Sequence, residues 1–362
     1  MKKIRVLHIS ETFAAGVYTY IKDICHFFDS IEEVENSVIY SGDRKDTDHE
    51  KIKTDFSANT ILHQLSMTRE ISPVKDIKAT IKLAKKIRAI KPDVIHLHSS
   101  KAGVIGRIAS LFYPRAKVYY TPNGYSFLRE DVSESKKKFF FNIEKYIQRL
   151  FGGTTIACGD SEHENALRIG PSILVRNGVT IKEVEQFKEP TIKTDGPLIG
   201  TMGRMSPQKN PALFNDIAKR FPNLKFVWIG DGEQRNLIDA ENIDVKGWMS
   251  RTDAISLVNT FDVYIQTSLW EGLPFTIIEA MVLGKPIVAN NVVGNKDAVQ
   301  NEYNGYLCDS LDHFEKAINL LVCDKKKLDR FGTNSSTRAK KIFDKDKNFG
   351  RLFDIYTGKV TF

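Results

Sequence analysis

Glu271 and Glu279 stand eight residues apart, and two carboxylates at a fixed interval can act as an acid and a base. Glycoside hydrolases use such a pair, with carboxyl groups about 5–5.5 Å apart in retaining enzymes and about 6.5–9.5 Å apart in inverting ones. Eight helical residues span roughly 12 Å, which weighs against a hydrolase, although the side chains could narrow that gap. The interval suits the two ends of one long ligand.

The residues around these glutamates predict a strand, a loop, a helix and a second strand. Asp262–Gln266 has the apolar character of a buried strand, and Pro274 stands where a helix can begin. Apolar residues then recur at helical spacing as far as Gly284, and Pro286–Ala289 predicts the second strand. Backbone N–H groups at a helix start bind anions, so the stretch fits a ligand with a polyol at each end and phosphate between them. A nucleotide sugar has that outline.

The segment from Glu271 to Met281, E-G-L-P-F-T-I-I-E-A-M, resembles the E-x7-E motif of glycosyltransferase family 4. That family contains retaining, metal-independent enzymes with the GT-B fold. The resemblance implies that Glu271 holds hydroxyls of a donor sugar and that Glu279 holds the ribose. The alternative is a pair of surface glutamates on an amphipathic helix. The N–H groups of the stretch from Gly272 to Thr276 lie between the two glutamates, and Gly272, Leu273, Pro274 and Phe275 are also expected to bind the donor.

A second motif, G-R-M-S-P-Q-K-N, follows a predicted strand at Pro197–Met202. Gly203 is expected to turn the chain and to lie beside the donor, while Ser206 and Pro207 predict the cap and first residue of a helix. The segment resembles the G-R-x4-K motif of the same family, whose arginine and lysine neutralise the donor diphosphate. By that resemblance the roles fall on Arg204 and Lys209. The alternative is a surface arginine and lysine at a helix start.

Cations at this position suit the reaction that the resemblance implies. Negative charge grows on the leaving phosphate as the glycosidic bond breaks, and preorganised cations stabilise that transition state. Arginine offers a planar fork to two oxygens, whereas lysine offers a point charge. The sequence has no evident D-x-D motif, so we expect these residues to replace a divalent metal, and we expect no cofactor.

Two further donor contacts are expected in the first half of the chain. Gly16 lies in E-T-F-A-A-G between a predicted strand and a predicted helix, and a glycine there lets backbone approach a phosphate. The family has two glycines at this place, and Ala15 replaces one of them. His98 ends a predicted strand at Val94–Leu97, and the resemblance implies that it faces the donor; a structural hydrogen bond is the alternative. We expect His96 and His98 to point to opposite faces, with His96 in the core.

The segment T-P-N-G resembles a T-x-H-G turn that faces the acceptor in the family. Asn123 stands where the histidine is usual, and an amide cannot take a proton. Asn123 and Tyr125 are expected on the acceptor side.

In the second half, Gly230 begins a loop after a predicted strand, and the backbone near Trp248 and Met249 is expected to frame the nucleotide base.

Residues 133–151 predict a helix rich in both lysine and phenylalanine. Basic and aromatic residues together are typical of a helix that lies on an anionic membrane surface. The alternative is a core-packing helix with a solvated basic face. Residues 1–190 carry 30 Lys and Arg against 24 Asp and Glu, and the remainder 23 against 21, so the basic surplus lies mainly in the first half. No nucleic-acid recognition motif accompanies it.

The length of 362 residues and the ordinary composition, 41% hydrophobic and 27% charged, predict a soluble protein of two domains. Four scattered cysteines indicate reduced thiols, and neither a signal peptide nor a span of about 20 apolar residues is evident, so we expect a cytoplasmic protein.

The fold expected is α/β, with two doubly wound, Rossmann-like domains facing across a cleft. The expected divisions are residues 1–180, 181–335 and a C-terminal helix, 336–362, that returns to the first domain, with a linker at 182–193.

The predicted activity is retaining transfer of a hexosyl or N-acetylhexosaminyl group from a nucleoside diphosphate sugar, UDP being expected, to a saccharide acceptor. A lipid-linked acceptor at the inner face of a bacterial membrane, during capsule, O-antigen or exopolysaccharide synthesis, fits the basic first half. Two alternatives stay open. A GT-B epimerase would use the same donor without an acceptor, and a binding module would hold the nucleotide sugar without turnover.

Overall fold

The computed structural model describes residues 3–44, 47–68, 70–188 and 196–360, and the chain divides into two units. The first unit contains the chain up to Leu128, residues 134–175 and the segment from Lys347 onward. The second contains residues 129–133 and 176–346. Residues 336–346 thus group with the second unit, whereas we expected them to return to the first. Residues 189–193 of the expected linker lie outside the described residues.

The first unit is built on a parallel sheet of seven strands within the described residues, in the order β3-β2-β1-β4-β5-β6-β7. Its strands are β1 (Ile4–Ser10), β2 (Val34–Tyr40), β3 (Ile61–Gln64), β4 (Val94–His98), β5 (Lys117–Thr121), β6 (Thr154–Ala157) and β7 (Ser172–Leu174). Its connecting helices are α1 (Ala15–Asp29), α2 (His49–Asp55), α3 (Pro73–Ile90), α4 (Ser100–Ser110), α5 (Glu134–Phe151) and α6 (Asp160–Leu167).

The second unit has a parallel sheet of six strands within the described residues, in the order β10-β9-β8-β11-β12-β13. Its strands are β8 (Leu198–Met202), β9 (Lys225–Ile229), β10 (Ile243–Gly247), β11 (Val263–Gln266), β12 (Ile287–Asn290) and β13 (Gly305–Cys308). Its helices are α7 (Ile181–Glu185), α8 (Pro211–Arg220), α9 (Arg251–Asn259), α10 (Phe275–Val282), α11 (Asn295–Ala298), α12 (Leu311–Val322) and α13 (Lys325–Ile342).

Each sheet is held by a core of large apolar side chains with almost no exposed surface. Leu97 and Tyr120 belong to that core in the first unit, and Phe214, Trp228 and Ile265 belong to it in the second. Burying one such side chain contributes roughly 1.5–3 kcal/mol relative to leaving it in water. The ends of the strands are therefore held in place, and they fix the positions at which the following loops begin.

The last helix, α14 (Lys345–Thr357), packs on the first unit through aromatic side chains. The Phe349 ring lies 5.9 Å from Tyr20, and the Tyr356 ring lies 5.6 Å from Phe28 and 5.5 Å from Tyr119, measured between centroids. Aromatic pairs at such distances add about 0.5–1.5 kcal/mol each beyond their buried area. The first unit thus includes residues from both ends of the sequence.

The strand order of each sheet reverses at one place, between β1 and β4 in the first unit and between β8 and β11 in the second. Open α/β sheets bind ligands outside the carboxyl ends of the strands at such a reversal. The segment from Gly203 to Lys209 follows β8, and Glu271 lies five residues after β11. The two predicted donor motifs therefore leave the second sheet side by side.

Candidate active site

The segment after β8 forms a turn rather than the helix predicted from Ser206 and Pro207. The N–H groups of Lys209 and Asn210 donate to the Ser206 carbonyl oxygen at 3.0 and 3.2 Å, which closes the turn. Helix α8 begins at Pro211, and the Asn210 side chain accepts from the Leu213 N–H at 3.4 Å. Asn210 has φ +50°, which asparagine tolerates better than most residues, so Asn210 and Pro211, rather than Ser206 and Pro207, set the helix start.

The turn brings Lys209 into contact with Glu271. Lys209 Nζ lies 2.7 Å from Glu271 Oε1, and the two side chains are only 18% and 9% exposed. Glu271 Oε1 also accepts from Gln266 Nε2 at 3.2 Å, and Oε2 accepts from Gln208 Nε2 at 3.3 Å. Three donors thus fix the carboxylate, and the more lightly bonded Oε2 retains acceptor capacity for a ligand.

Arg204 lies beside the same turn, at the end of β8. Its Nε is 3.4 Å from Glu233 Oε2, and both side chains are about half exposed. An ion pair this exposed contributes about 0–1 kcal/mol. Arg204 can therefore exchange Glu233 for another anion at little cost.

Glu279 is the counterpart of Glu271 on α10. Its Oε1 accepts from Arg251 at 2.8 Å from Nη2 and 3.2 Å from Nε, and its side chain is buried. Both glutamates are thus buried and paired with a cation, so they are not the surface glutamates of the alternative interpretation. Pro274 is the N-cap of α10 rather than its first residue. The first residue of the helix is therefore Phe275, whose backbone N–H has no partner within the helix.

Two glycines allow backbone segments to meet around this site. Gly230 has φ +124°, and a Cβ atom there would lie 2.3 Å from the Gly203 carbonyl oxygen. Gly294 has φ +84°, and a Cβ atom there would lie 2.5 Å from the Gly272 carbonyl oxygen and 2.7 Å from Glu271 Cβ. No side chain fits at either position. The backbone at Gly230 therefore packs directly on the loop after β8, and the backbone at Gly294 packs directly on the loop after β11.

Trp248 and Met249 follow β10, next to the loop that Gly230 begins. The Gly230 N–H donates to the Gly247 carbonyl oxygen at 2.9 Å, which joins the ends of β9 and β10. The Trp248 side chain is largely exposed and offers an aromatic face on which a base can stack. Binding of a nucleotide base at Trp248 and Met249 stays a prediction.

In the first unit, three histidines lie together at the reversal of the sheet. His8 Nδ1 and His98 Nε2 are 3.1 Å apart, and the rings of His96 and His98 have centroids 4.1 Å apart. The prediction that His96 and His98 point to opposite faces is wrong, because residues two apart in a strand share one face. His98 is fully buried, so its ring belongs to the interior of the unit; its contact with a donor stays a prediction.

Burial keeps these histidines neutral. It lowers the pKa of His8 to about 3 and holds the pKa values of His96 and His98 well below 6.5. His96 Nε2 lies 2.7 Å from Thr121 Oγ1, and Thr121 in turn donates to the Ile156 carbonyl oxygen at 2.9 Å. His96 therefore carries its proton on Nε2, and its Nδ1 accepts from the Tyr356 hydroxyl.

Two other predictions for the first unit need correction. Tyr125 is 1% exposed and stacks on Phe127, with centroids 4.7 Å apart, so it packs in the core rather than on an acceptor-facing surface. Gly16 lies inside the first turn of α1, not before it, and the left-handed conformation falls on Ala15, with φ +48°. Asn123 also has positive φ, +55°, and its Nδ2 is buried without a hydrogen-bond partner among the described residues.

Comparison with known proteins covers both units. Residues 14–183 match the model of Glycosyltransferase Family 4, and residues 182–338 match the model of Glycosyl transferases group 1. An Escherichia coli protein, UDP-Gal:alpha-D-GlcNAc-diphosphoundecaprenol alpha-1,3-galactosyltransferase, is 30% identical over 82% of this chain and 83% of its own length. The chain belongs to glycosyltransferase family 4. The Staphylococcus aureus capsular polysaccharide biosynthesis glycosyltransferase CapM is 25% identical over 82% of this family member and 85% of CapM.

Solved structures give the fold. Sucrose-phosphate synthase from Thermosynechococcus elongatus aligns with a TM-score of 0.80 at 16% identity over 99% of each chain. Anabaena HepE in complex with UDP and glucose aligns with a TM-score of 0.77 at 18% identity, over 98% of this chain and all of HepE. This glycosyltransferase has the GT-B fold, as its sequence predicted. Among the described residues, no helix has both the length and the apolar character needed to cross a bilayer.

Gln266, which the sequence motifs did not reveal, gives a test of the Glu271 environment. We expect Gln266→Leu to lower kcat/KM for sugar transfer about tenfold or more at every pH, because Glu271 loses a buried donor. Gln266→Glu keeps the shape, and a protonated Glu can still donate to Glu271. Its activity relative to the parent enzyme should therefore fall as the pH rises and the two carboxylates repel. A pH profile of kcat/KM for both variants checks this; parallel profiles would contradict it.

Proposed function

We propose that this glycosyltransferase moves a hexose from UDP-hexose to a saccharide acceptor with retention at the anomeric carbon. The observation that carries the proposal is the buried Lys209–Glu271 pair at the strand-order reversal of the second sheet. It joins a cation suited to phosphate and a carboxylate suited to sugar hydroxyls, with Arg204 at the end of the adjoining strand.

Each predicted residue has a distinct role in this proposal. Lys209 and Arg204 take the diphosphate, Glu271 accepts from donor-sugar hydroxyls through Oε2, and Glu279 accepts from the ribose. Neither carboxylate is offered as a nucleophile, because both are held by cations on neighbouring elements. Lys209 and Arg204 supply the charge that a divalent metal supplies in other transferases, so we propose a reaction without a metal cofactor.

The reaction that fits these groups is a front-face displacement. The acceptor hydroxyl oxygen bonds to the anomeric carbon on the face from which UDP leaves. The bond between the anomeric carbon and the phosphate oxygen breaks, and that oxygen takes the hydroxyl proton. Lys209 and Arg204 stabilise the charge that grows on the departing diphosphate.

Incubation with UDP-, GDP- and ADP-sugars tests the donor, and nuclear magnetic resonance of the product tests retention. We expect turnover with a UDP-hexose, and UDP-galactose is the first candidate because the Escherichia coli relative is named for it. Conversion of UDP-sugar without an acceptor would instead support the epimerase. Binding of UDP-sugar with no turnover in the presence of any saccharide acceptor would support the binding module.

We further propose that the acceptor is lipid-linked and that the protein meets it at the inner surface of a bacterial membrane. The same relative is named for a diphosphoundecaprenol-linked acceptor. Helix α5 exposes a stripe of Phe139, Tyr146 and Leu150, which are 53%, 61% and 68% exposed. Lys145 and Arg149 lie one position before Tyr146 and Leu150, so a basic edge runs along the apolar stripe.

Replacing Tyr146 and Leu150 together with serine should weaken binding to vesicles. Burying each side chain in the membrane contributes roughly 1.5–3 kcal/mol, so the coefficient for partitioning of the protein between water and vesicles should fall at least tenfold. Sedimentation with vesicles of anionic and zwitterionic lipid measures the effect, and raised salt should weaken binding of the parent protein to the anionic vesicles. Equal binding of parent and variant would contradict the role of this stripe.

A further inference from the structure

A groove of about 560 Å³ lies in the first unit, at the start of α5, and none of the residues assigned above to the donor lines it. This volume falls within the range of about 300–1,000 Å³ that small-molecule sites occupy. The side chains that matter for its chemistry are Phe127, Phe141, Glu134, Lys137, Lys138 and Arg168.

The groove has a net positive charge. Three of its lining side chains are cations and one, Glu134, is an anion, which leaves a surplus of two. Lys137 Nζ lies 2.9 Å from Glu134 Oε1, so one cation is locally balanced. Lys138 and Arg168 supply the surplus, and their side chains are exposed.

Aromatic side chains form the apolar wall. The Phe127 ring stacks on Tyr125 and meets Phe141 edge to face, with centroids 5.2 Å apart. The guanidinium carbon of Arg168 lies 5.2 Å from the centroid of Phe141, so the same wall orients a cation. A ligand that fits must combine negative charge with apolar chain.

The groove adjoins the end of the first sheet where ligands of this fold class bind. Phe127 and Leu128 belong to a short 3-10 helix, Ser126–Leu128, that follows the Asn123 turn after β5. Ser126 Oγ lies 3.2 Å from Ser100 Oγ in the first residue of α4, which ties this short helix to the end of β4. The groove thus lies beside the carboxyl ends of two central strands.

We propose that this groove binds the diphosphate and the first apolar units of a lipid-linked saccharide acceptor. A diphosphate diester has one negative charge on each phosphate at neutral pH, which matches the surplus of two on the groove. Arg168 offers a fork to one phosphate and Lys138 a point charge to the other. The partly buried Phe141, which packs edge to face on Phe127, takes the lipid chain. The inference rests on the proposed function and adds the place where that acceptor is held.

The test uses the full-length protein with two acceptors of the same sugar, N-acetylglucosaminyl diphosphate farnesol and octyl N-acetylglucosaminide, which lacks phosphate. For Lys138→Glu combined with Arg168→Glu, we expect KM for the diphosphate acceptor to rise at least tenfold, because two charged contacts become repulsive. KM for UDP-hexose and the kinetics with the octyl glycoside should not change. Lys138→Arg should retain the parent KM, and Lys85→Glu, an exposed reversal on α3, is the matched control.

An unchanged KM for the diphosphate acceptor would overturn the inference, and so would an equal rise with both acceptors. Circular dichroism and the melting temperature show whether the double variant is folded. If the parent protein transfers no sugar to either acceptor, the proposed function fails and the groove is tested separately. Calorimetric binding of N-acetylglucosaminyl diphosphate farnesol should then be at least tenfold weaker in the double variant, and equal affinities would refute the groove.

Discussion

Lys209→Ala is expected to lower kcat for sugar transfer about 100- to 1,000-fold, the range seen when one preorganised transition-state donor is removed. In the proposed mechanism, the lysine ammonium stabilises the departing diphosphate. The same substitution removes the cation 2.7 Å from Glu271 Oε1 and leaves that carboxylate buried. We therefore expect a smaller additional loss when Glu271→Gln is combined with Lys209→Ala than when it is made alone.

Lys219 offers a matched control on α8. Its Nζ also lies 2.7 Å from a carboxylate oxygen, of Asp239, but these side chains are 50% and 66% exposed. Lys219→Ala should leave kcat unchanged and barely alter the free energy of unfolding, because solvent screens an ion pair this exposed. Initial rates with a saturating UDP-hexose decide the matter, and a Lys209→Ala enzyme with more than a tenth of the parent kcat would sink the assigned role.

The second large effect concerns stability in acid. His8, His96 and His98 stay neutral in the folded first unit because burial lowers their pKa values, that of His8 to about 3. In the unfolded chain they bind protons as the pH falls through about 6.5. The unfolded state then binds more protons than the folded state, so stability is complete above about pH 6.5 and is lost as the pH falls toward 3.

Each histidine contributes about 1.4 kcal/mol per pH unit well below pH 6.5, so the three together contribute about 4 kcal/mol per pH unit. This is a large part of the 5–15 kcal/mol by which domains are usually stable. Urea unfolding at several pH values measures the slope. His8→Asn removes one titration and should reduce the slope by about a third. Equal slopes, or native-state histidine resonances that titrate near pH 6.5, would show that these rings are not held neutral.

The groups packed on the cluster do not oppose this effect. Burial raises the pKa values of Tyr20 and Tyr356 above the usual value for tyrosine, so both phenols stay neutral throughout the acid range. The Tyr20 ring lies 5.8 Å from His98, and the Tyr356 hydroxyl donates to His96. Protonation of a ring would therefore place a charge among neutral side chains, which is costly.

Sequence patterns were sufficient to predict the backbone of the segment that contains Glu271 and Glu279. Apolar residues at helical spacing after Pro274 predicted α10, with Glu271 in the loop and Glu279 in the helix, and the structure confirms this placement. The spacing of apolar residues and the positions of Gly and Pro are local properties of the sequence, so they predict a helix without knowledge of the rest of the chain. The GT-B fold was predicted from the resemblance of two short motifs to those of glycosyltransferase family 4.

The partners of the two glutamates could not be predicted in this way. Gln208, Gln266 and Arg251 come from three different segments, and only the pairing of β8 with β11 and the packing of α9 bring them to the carboxylates. Gln266 was the one available clue, since it is a polar residue in the otherwise apolar strand β11. Buried polar side chains in strands are hydrogen-bonded, so such a residue indicates a nearby polar group.

The errors in the first unit have definite physical reasons. His96 and His98 were assigned to opposite faces although a spacing of two places them on the same face of β4. Tyr125 was assigned to the acceptor from its place after a turn, but its aromatic ring gains more by stacking on Phe127 in the core. Ser206 was interpreted as a cap, but Asn210 and Pro211 offered a second helix start, and the Asn210 side chain caps α8 there.

The packing of α14 affects how the chain must fold during synthesis. A ribosome releases the strands of the first sheet long before it has made Phe349 and Tyr356, which complete the aromatic packing around Tyr20 and Phe28. The apolar surface around Tyr20 and Phe28 therefore stays uncovered in the nascent chain while about 170 further residues are translated. A chaperone has its longest opportunity to bind at this surface, and a premature stop codon before residue 347 would leave it permanently bare.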